Sequence, residues 1–119
     1  MNARDRIALA VIAKHFAWLG QPQQLEDTNK EGVLEDAIRN FSADVNDVKI
    51  SLEERLEEAS EGRQEGEWGD QMQSDIDELE VLVNDIDAIE PPEPESAVAE
   101  DYEQLATELA DALEQIRMF

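Results

Sequence analysis

The sequence predicts an all-α protein of about four amphipathic helices, packed as a small antiparallel bundle or as an elongated array of helical hairpins. Apolar residues recur at alternating spacings of three and four, which places them on one stripe of a helix. Clusters of glycine or proline separate these segments, and none of them alternates apolar and polar residues as a half-buried strand does. With 119 residues, the chain suits a single acidic helical domain over 1–119.

The first predicted helix spans roughly residues 3–19 and contains the apolar run Ile7–Leu19, interrupted only by Lys14 and His15. The run is too short to cross a bilayer, and these two polar residues break the apolar core that a secretory signal needs. We therefore expect a mostly buried helix. Residues 1–20 are also the only net positive segment of the chain.

Residues 21–32 are expected to form a loop, because Pro22 and Gly32 interrupt regular structure at its two ends. Thr28 or Asn29 would then cap the helix that follows, since their side chains can accept a hydrogen bond from a free backbone amide.

A second helix is predicted over roughly residues 30–60. Its spacing favours one long helix, although Ser42 could instead cap a new helix after a short break. The apolar stripe consists of Leu34, Ile38, Phe41, Val45, Val48, Leu52 and Leu56.

The third and fourth helices are predicted over roughly residues 70–90 and 96–118. A glycine-rich turn at 60–70 precedes the third, and the prolines of 91–95 end it because proline lacks an amide donor. Ser96 is the expected cap of the fourth helix. The third stripe comprises Met72, Ile76, Leu79, Leu82, Val83, Ile86 and Ile89, and the fourth comprises Val98, Tyr102, Leu105, Leu109, Ala112, Leu113 and Ile116.

The stripes resemble heptad seams, which can pair between two chains as readily as within one. A coiled-coil homodimer is therefore an alternative to a monomeric bundle. Phe16, Trp18 and Phe41 are expected in the core, where aromatic side chains bury the most surface.

The charge distribution is the second informative property. The net charge is -22, and the stretch from Gln64 to Gln115 holds eighteen of the thirty-one acidic residues without one lysine, arginine or histidine. A rotation of about 100° per residue places most of these acids away from the apolar stripes. The predicted binding residues are Asp70, Asp77, Glu78, Glu80, Asp85 and Asp87 on the third helix, and Glu100, Glu103, Glu108, Asp111 and Glu114 on the fourth.

This density of carboxylates favours a partner with a basic surface, which the protein would recognise by charge as well as by shape. Each of the two helices carries one acid per about 4 Å, so two of them side by side would present one per about 2 Å. Duplex DNA carries one charge per about 1.7 Å of its axis. We therefore expect a DNA mimic that occupies the cationic channel of a nucleic-acid-binding protein, without binding nucleic acid or an anionic membrane itself.

In size and composition, the chain resembles the small acidic proteins that phages use to block restriction or CRISPR enzymes. The likeness is one of class and covers the acidic two-thirds of the sequence. It implies a cytoplasmic inhibitor that works by protein–protein interaction, as anti-restriction and anti-CRISPR proteins do. The absence of cysteine also suits a reducing cytoplasm.

Two other interpretations account for the same composition. A helical assembly or scaffold protein would use its apolar stripes to bind itself or another helix. A protein adapted to high salt would carry acids to stay soluble, but it would spread them over its whole surface.

Enzymatic chemistry is not expected. His15 is the only histidine and has no cysteine beside which to form a nucleophile or metal site. The acids Asp75, Asp77, Glu78 and Glu80 lack the glycine and spacing of a calcium loop. The sequence thus predicts no catalytic residue, no metal site and no cofactor.

Trp68 is the one aromatic residue outside the periodic segments. It lies in the glycine-rich turn, beside Glu65, Glu67 and Asp70. Its side chain either packs over the end of the bundle or serves as an exposed binding anchor.

Overall fold

The computed structural model describes all residues from 1 to 119 and is 81% helical with no strand, which confirms the predicted all-α helical bundle. A short 3₁₀ helix, Ala17–Gly20, follows the first of six α-helices. The six are α1 (Ala3–His15), α2 (Pro22–Lys30), α3 (Leu34–Glu58), α4 (Glu61–Glu65), α5 (Glu67–Asp87) and α6 (Ala99–Arg117).

The bundle is elongated, with principal dimensions of 56 × 19 × 18 Å. Helices α3 and α5 form its long hairpin and run antiparallel. Their opposite directions are seen where the Ser42 hydroxyl, in the first half of α3, donates to the Asp87 carboxylate at the end of α5 (2.6 Å). Helix α1 packs on α3 and α6, and α6 also packs on α2 and the 3₁₀ helix.

One hydrophobic core of 25 buried residues runs through the bundle, and the predicted stripes supply most of it. Phe16 and Phe41 pack with their ring centroids 5.1 Å apart, as expected of core aromatics. Trp18 is only partly buried and packs against the edge of this core. Val98 was predicted in the fourth stripe but is exposed, because it precedes α6 rather than lying within it.

The predicted first helix is shorter than expected and less buried. Helix α1 ends at His15, and the chain continues into the 3₁₀ helix after Phe16, whose ψ angle of 10° departs from α-helical geometry. Helix α1 packs against α3, α6 and the 3₁₀ helix on its inner side. As a result, Ile7 and Val11 on its outer side remain 64% and 60% exposed.

The prediction of a loop over 21–32 is wrong, because most of that segment forms α2. Pro22 occupies the first turn, where its missing amide hydrogen has no cost, and Leu25 anchors the helix in the core. Asn29 is buried rather than a cap, and its amide donates to the Pro92 carbonyl (2.8 Å) and the Tyr102 hydroxyl (2.9 Å). Thr28 also lies inside α2 rather than at the start of the next helix.

Helix α3 is continuous, which answers the question left open by its sequence. Ser42 lies inside it and caps nothing, since its hydroxyl is buried against Asp87. The start of α6 also differs from the prediction, because the helix begins after Val98 and Ser96 plays no part in capping it. Instead, the Asp101 carboxylate accepts a hydrogen bond from the Val98 amide (3.0 Å).

The predicted turn at 60–70 is largely helical. Ser60 caps α4, and the side-chain amide of Gln64 donates to the Leu56 (2.7 Å) and Ala59 (3.0 Å) carbonyls at the end of α3. Gly69 in α5 lies against the backbone of Gln64 so closely that a Cβ atom would overlap its carbonyl group. The turn is therefore a tightly packed corner between α3 and α5.

The N-terminal end of α1 is fixed by Asp5. Its carboxylate accepts from the Asn2 amide (2.9 Å) and from the Arg55 guanidinium of α3 (2.7 Å), while the Asp5 amide donates to the Asn2 side chain (3.0 Å). Burial alone would raise the pKa of Asp5. The hydrogen bonds from Arg55 and Asn2 and the nearby positive charges outweigh this effect, so the pKa is lowered.

Replacing Asp5 by asparagine is expected to lower the free energy of unfolding by about 1–2 kcal/mol at neutral pH, because both the cap and the ion pair are weakened. Since the pKa of Asp5 is depressed in the folded state, its contribution is full above the unfolded-state pKa of about 3.9 and disappears as pH falls through the lower folded value. Urea unfolding at pH 7 and near pH 3 measures the difference. Asp27→Asn is the control, because Asp27 of α2 is exposed and forms no ion pair, and it should change the stability little. An Asp5→Asn deficit that is equal at both pH values would contradict this role of Asp5.

Candidate acidic binding face

The eleven carboxylates predicted from the sequence all lie on the surface. We call them the acidic face. Their exposure follows from the helical period, because the apolar stripes of α5 and α6 turn inward and leave the opposite sides to solvent. The acidic face consists of Asp70, Asp77, Glu78, Glu80, Asp85 and Asp87 on α5, and Glu100, Glu103, Glu108, Asp111 and Glu114 on α6.

Most of these carboxylates carry an uncompensated charge. Asp87 has the Arg39 guanidinium at 3.8 Å, and Glu114 has that of Arg117 at 3.7 Å. The other nine have no basic group within 4.0 Å. Nearly the whole acidic face is thus left for an external cation, and Asp87 contributes least to it.

Asp75 is the one acid of α5 on the apolar side of the helix, three residues after Met72 and four before Leu79. It is buried, and its carboxylate contacts the N-terminal ammonium of Met1 at 2.9 Å. The Gln71 amide donates to its other oxygen at 2.9 Å. Asp75 therefore joins α5 to the start of the chain and does not belong to the acidic face.

The two acidic helices do not lie side by side along their length, as the comparison with duplex DNA supposed. Helix α5 packs mainly along α3, and its contact with α6 is much smaller. The two meet at a groove of about 580 Å³ lined by Asp85 and Glu90 from one side and by Glu108 and Asp111 from the other. The highest density of carboxylates from both helices is therefore local, at this junction.

Helix α3 contributes acids that the sequence argument missed. Glu53, Glu54 and Glu57 line a groove of about 560 Å³ together with Asp77 and Glu80 of α5. The signal was present, because residues 53 and 57 are one helical turn apart. Lys49 and Arg55 mask this signal, because they partly offset the acids of that segment and Lys49 pairs with Glu53 (3.4 Å).

Trp68 lies at the first turn of α5, at the end of the bundle away from α2. It is partly buried and packs against the core, while the Arg63 guanidinium of α4 lies 3.9 Å from the centre of its ring. Packing over the end of the bundle is thus what the structure shows for Trp68, and its side chain also lines a groove of about 1110 Å³. Its role as a binding anchor stays a prediction.

The outer side of α1 differs from the acidic face in both charge and polarity. Ile7 and Val11 are exposed there, next to Arg4 and Lys14, which form no ion pair. The basic first segment therefore does not neutralise the acids of α5 and α6, except through Met1. Positive and negative surfaces remain separate on the molecule.

No group of three histidine, aspartate or glutamate side chains is placed so as to hold a metal ion. His15 is exposed at the end of α1 and contacts the edge of the Phe16 ring, with centroids 4.7 Å apart. The carboxylate of Asp75 is buried, whereas those of Asp77 and Glu78 are exposed. These three acids therefore do not converge on one point where a metal ion could bind.

Comparison with known protein families, with characterised proteins and with solved structures yields no significant match. The fold and the surface define the molecule as an acidic all-α helical bundle with a carboxylate-rich surface on α5 and α6. None of its helices combines the length and the hydropathy that crossing a membrane requires.

Proposed function

We propose that this protein binds the cationic surface of a nucleic-acid-binding protein and blocks that surface as a DNA mimic, in the manner of an anti-restriction or anti-CRISPR protein of a phage. The observation that carries the proposal is the unpaired state of nine carboxylates on α5 and α6. An ordinary exposed helix would pair glutamate with lysine one turn away and gain stability from the pair.

The mechanism is competitive occupation. Arginine and lysine side chains that normally hold phosphates would form charge-assisted hydrogen bonds with the carboxylates instead. The net charge of -22 would also attract a basic partner over a distance and raise the rate of encounter. The junction of α5 and α6 is the favoured centre of the contact, because acids from both helices converge there.

The two alternative functions are less well supported. A scaffold that used the apolar stripes would need them exposed, but apart from Val98 the stripe residues are buried or partly buried within the chain itself. Self-association would have to use another surface, such as Ile7 and Val11. Adaptation to high salt predicts acids on every face, whereas α1 presents basic residues.

Capture from a bacterial lysate on the immobilised protein tests the proposal. The expected result is retention of nucleic-acid-binding proteins at low salt, with release as salt rises toward 0.5 M and on addition of duplex DNA, since both compete for the same cations. The purified partner should then lose DNA to this protein in a fluorescence-anisotropy competition. A partner that binds DNA and this protein at the same time would contradict the mimic mechanism.

A further inference from the structure

The groove beside Trp68 has a volume of about 1110 Å³ and lies where α3, α4 and α5 meet. It combines an aromatic ring with carboxylates at its rim. Glu58, Glu67 and Asp70 line it and form no ion pair, and all three are exposed.

The cations of the groove are not equivalent. Arg55 is held by Asp5 at 2.7 Å, and the Met1 ammonium is held by Asp75 at 2.9 Å. Arg63 has no carboxylate within 4.0 Å, and its guanidinium rests on the Trp68 ring, 3.9 Å from the centre. It is therefore the one cation of the groove without an anionic partner.

We propose that the Trp68 groove is a binding pocket for an arginine side chain of the partner protein, and that Arg63 occupies it in the free protein. The inference rests on the proposed function, because it assigns one contact of the same basic partner. The incoming guanidinium would replace that of Arg63 on the ring and would gain the nearby carboxylates. Arginine fits better than lysine, since its planar guanidinium stacks on an aromatic face and bonds a carboxylate with two parallel donors.

Arg63 can leave the ring without disturbing the fold. Its side chain is exposed, and α4 buries no residue. The backbone of α4 is held separately, because the Gln64 amide bonds to the end of α3 and Gly69 packs on Gln64. Displacement therefore requires only the rotation of an exposed side chain.

The test follows the fluorescence of Trp68. The chain has two tryptophans, so Trp18 is first replaced by phenylalanine, which leaves Trp68 as the only one. The probe is a capped glycine peptide that carries two arginines, titrated at constant ionic strength against a peptide with two lysines. The arginine peptide should change the emission of Trp68 and bind several-fold more tightly than the lysine peptide. Arg63→Ala should tighten the arginine peptide about two- to fivefold, because the competing stack is removed.

Arg117→Ala is the matched control. It changes the net charge equally, but it lies at the end of α6 and pairs with Glu114, so it should leave the peptide affinity unchanged. Trp68→Leu should abolish the preference for arginine, as measured by calorimetry after circular dichroism has verified the helical content. Should Trp68→Leu fail to fold, the peptide affinities of Arg63→Ala and Arg117→Ala still show whether the groove binds arginine.

Equal binding of both peptides, or equal effects of the two arginine variants, would overturn this pocket. Neither outcome touches the proposed function, which depends on DNA competition by the acidic face. Conversely, a partner that keeps its DNA in the competition assay would refute mimicry while leaving the peptide result intact.

Discussion

Reversal of five charges on the acidic face is expected to abolish displacement of DNA from the partner. Each substitution replaces an attraction by a repulsion against the same cationic surface, so the loss of affinity should be roughly a hundredfold or more. The five acids are exposed and lie outside the core, and none forms an ion pair, so helicity should be retained. The substitutions are Asp77, Glu80, Asp85, Glu103 and Asp111, each to lysine.

The matched control reverses five exposed acids elsewhere, which changes the net charge by the same amount. If long-range attraction alone governed binding, the two variants would be equally impaired. A specific face predicts that the control keeps most of its affinity and loses mainly association rate. Anisotropy competition and stopped-flow binding measure the two effects, and equal failure of both variants would refute a localised face. The control acids are Asp27, Glu31, Asp47, Glu93 and Glu95, all of which are exposed and line none of the grooves described above.

Replacement of Gly69 by alanine is expected to destabilise the fold, although it adds a single methyl group. The added Cβ would overlap the backbone carbonyl of Gln64 and lie 2.7 Å from its Cα atom. Because that neighbour is backbone, α4 and α5 must separate, and the hydrogen bonds of the Gln64 amide to the end of α3 are weakened with them. We expect a loss of about 1–3 kcal/mol, as for other overpacked sites.

Gly62→Ala provides the control within the same corner. A Cβ there meets nothing within 4 Å, and the residue lies inside α4. Alanine should therefore be neutral or stabilise the protein by up to about 1 kcal/mol, since it restricts the unfolded chain and favours the helix. Urea unfolding of the two variants gives the comparison, and similar stabilities would show that the corner is looser than its geometry indicates.

The helical elements that the sequence predicted well are the long ones. The stripe from Leu34 to Leu52 is buried as expected, and α3 is one helix. The two helices that the sequence did not predict are short, because α2 and α4 have too few residues for a period to be recognised in them. In α2, Pro22 was interpreted as a breaker although it occupies the first turn, where proline is tolerated.

The residues of the acidic face could be predicted individually but not as a surface. Exposure of Asp77 or Glu108 follows from its position relative to the local stripe. The junction at Asp85 and Asp111, and the addition of α3 acids such as Glu57, depend on which helices become neighbours. Nothing in the spacing of one helix determines its neighbour.

By itself, therefore, the sequence determined the fold class and the outward direction of the carboxylates, because both follow from the local rotation of about 100° per residue. The tertiary structure alone decided the contacts between residues distant in the chain. Asp5 meets Arg55, which is 50 residues away, and Asn29 meets Tyr102, which is 73 residues away. It also decided that α5 packs on α3 rather than along α6, since this choice depends on how the whole set of apolar stripes is best buried at once.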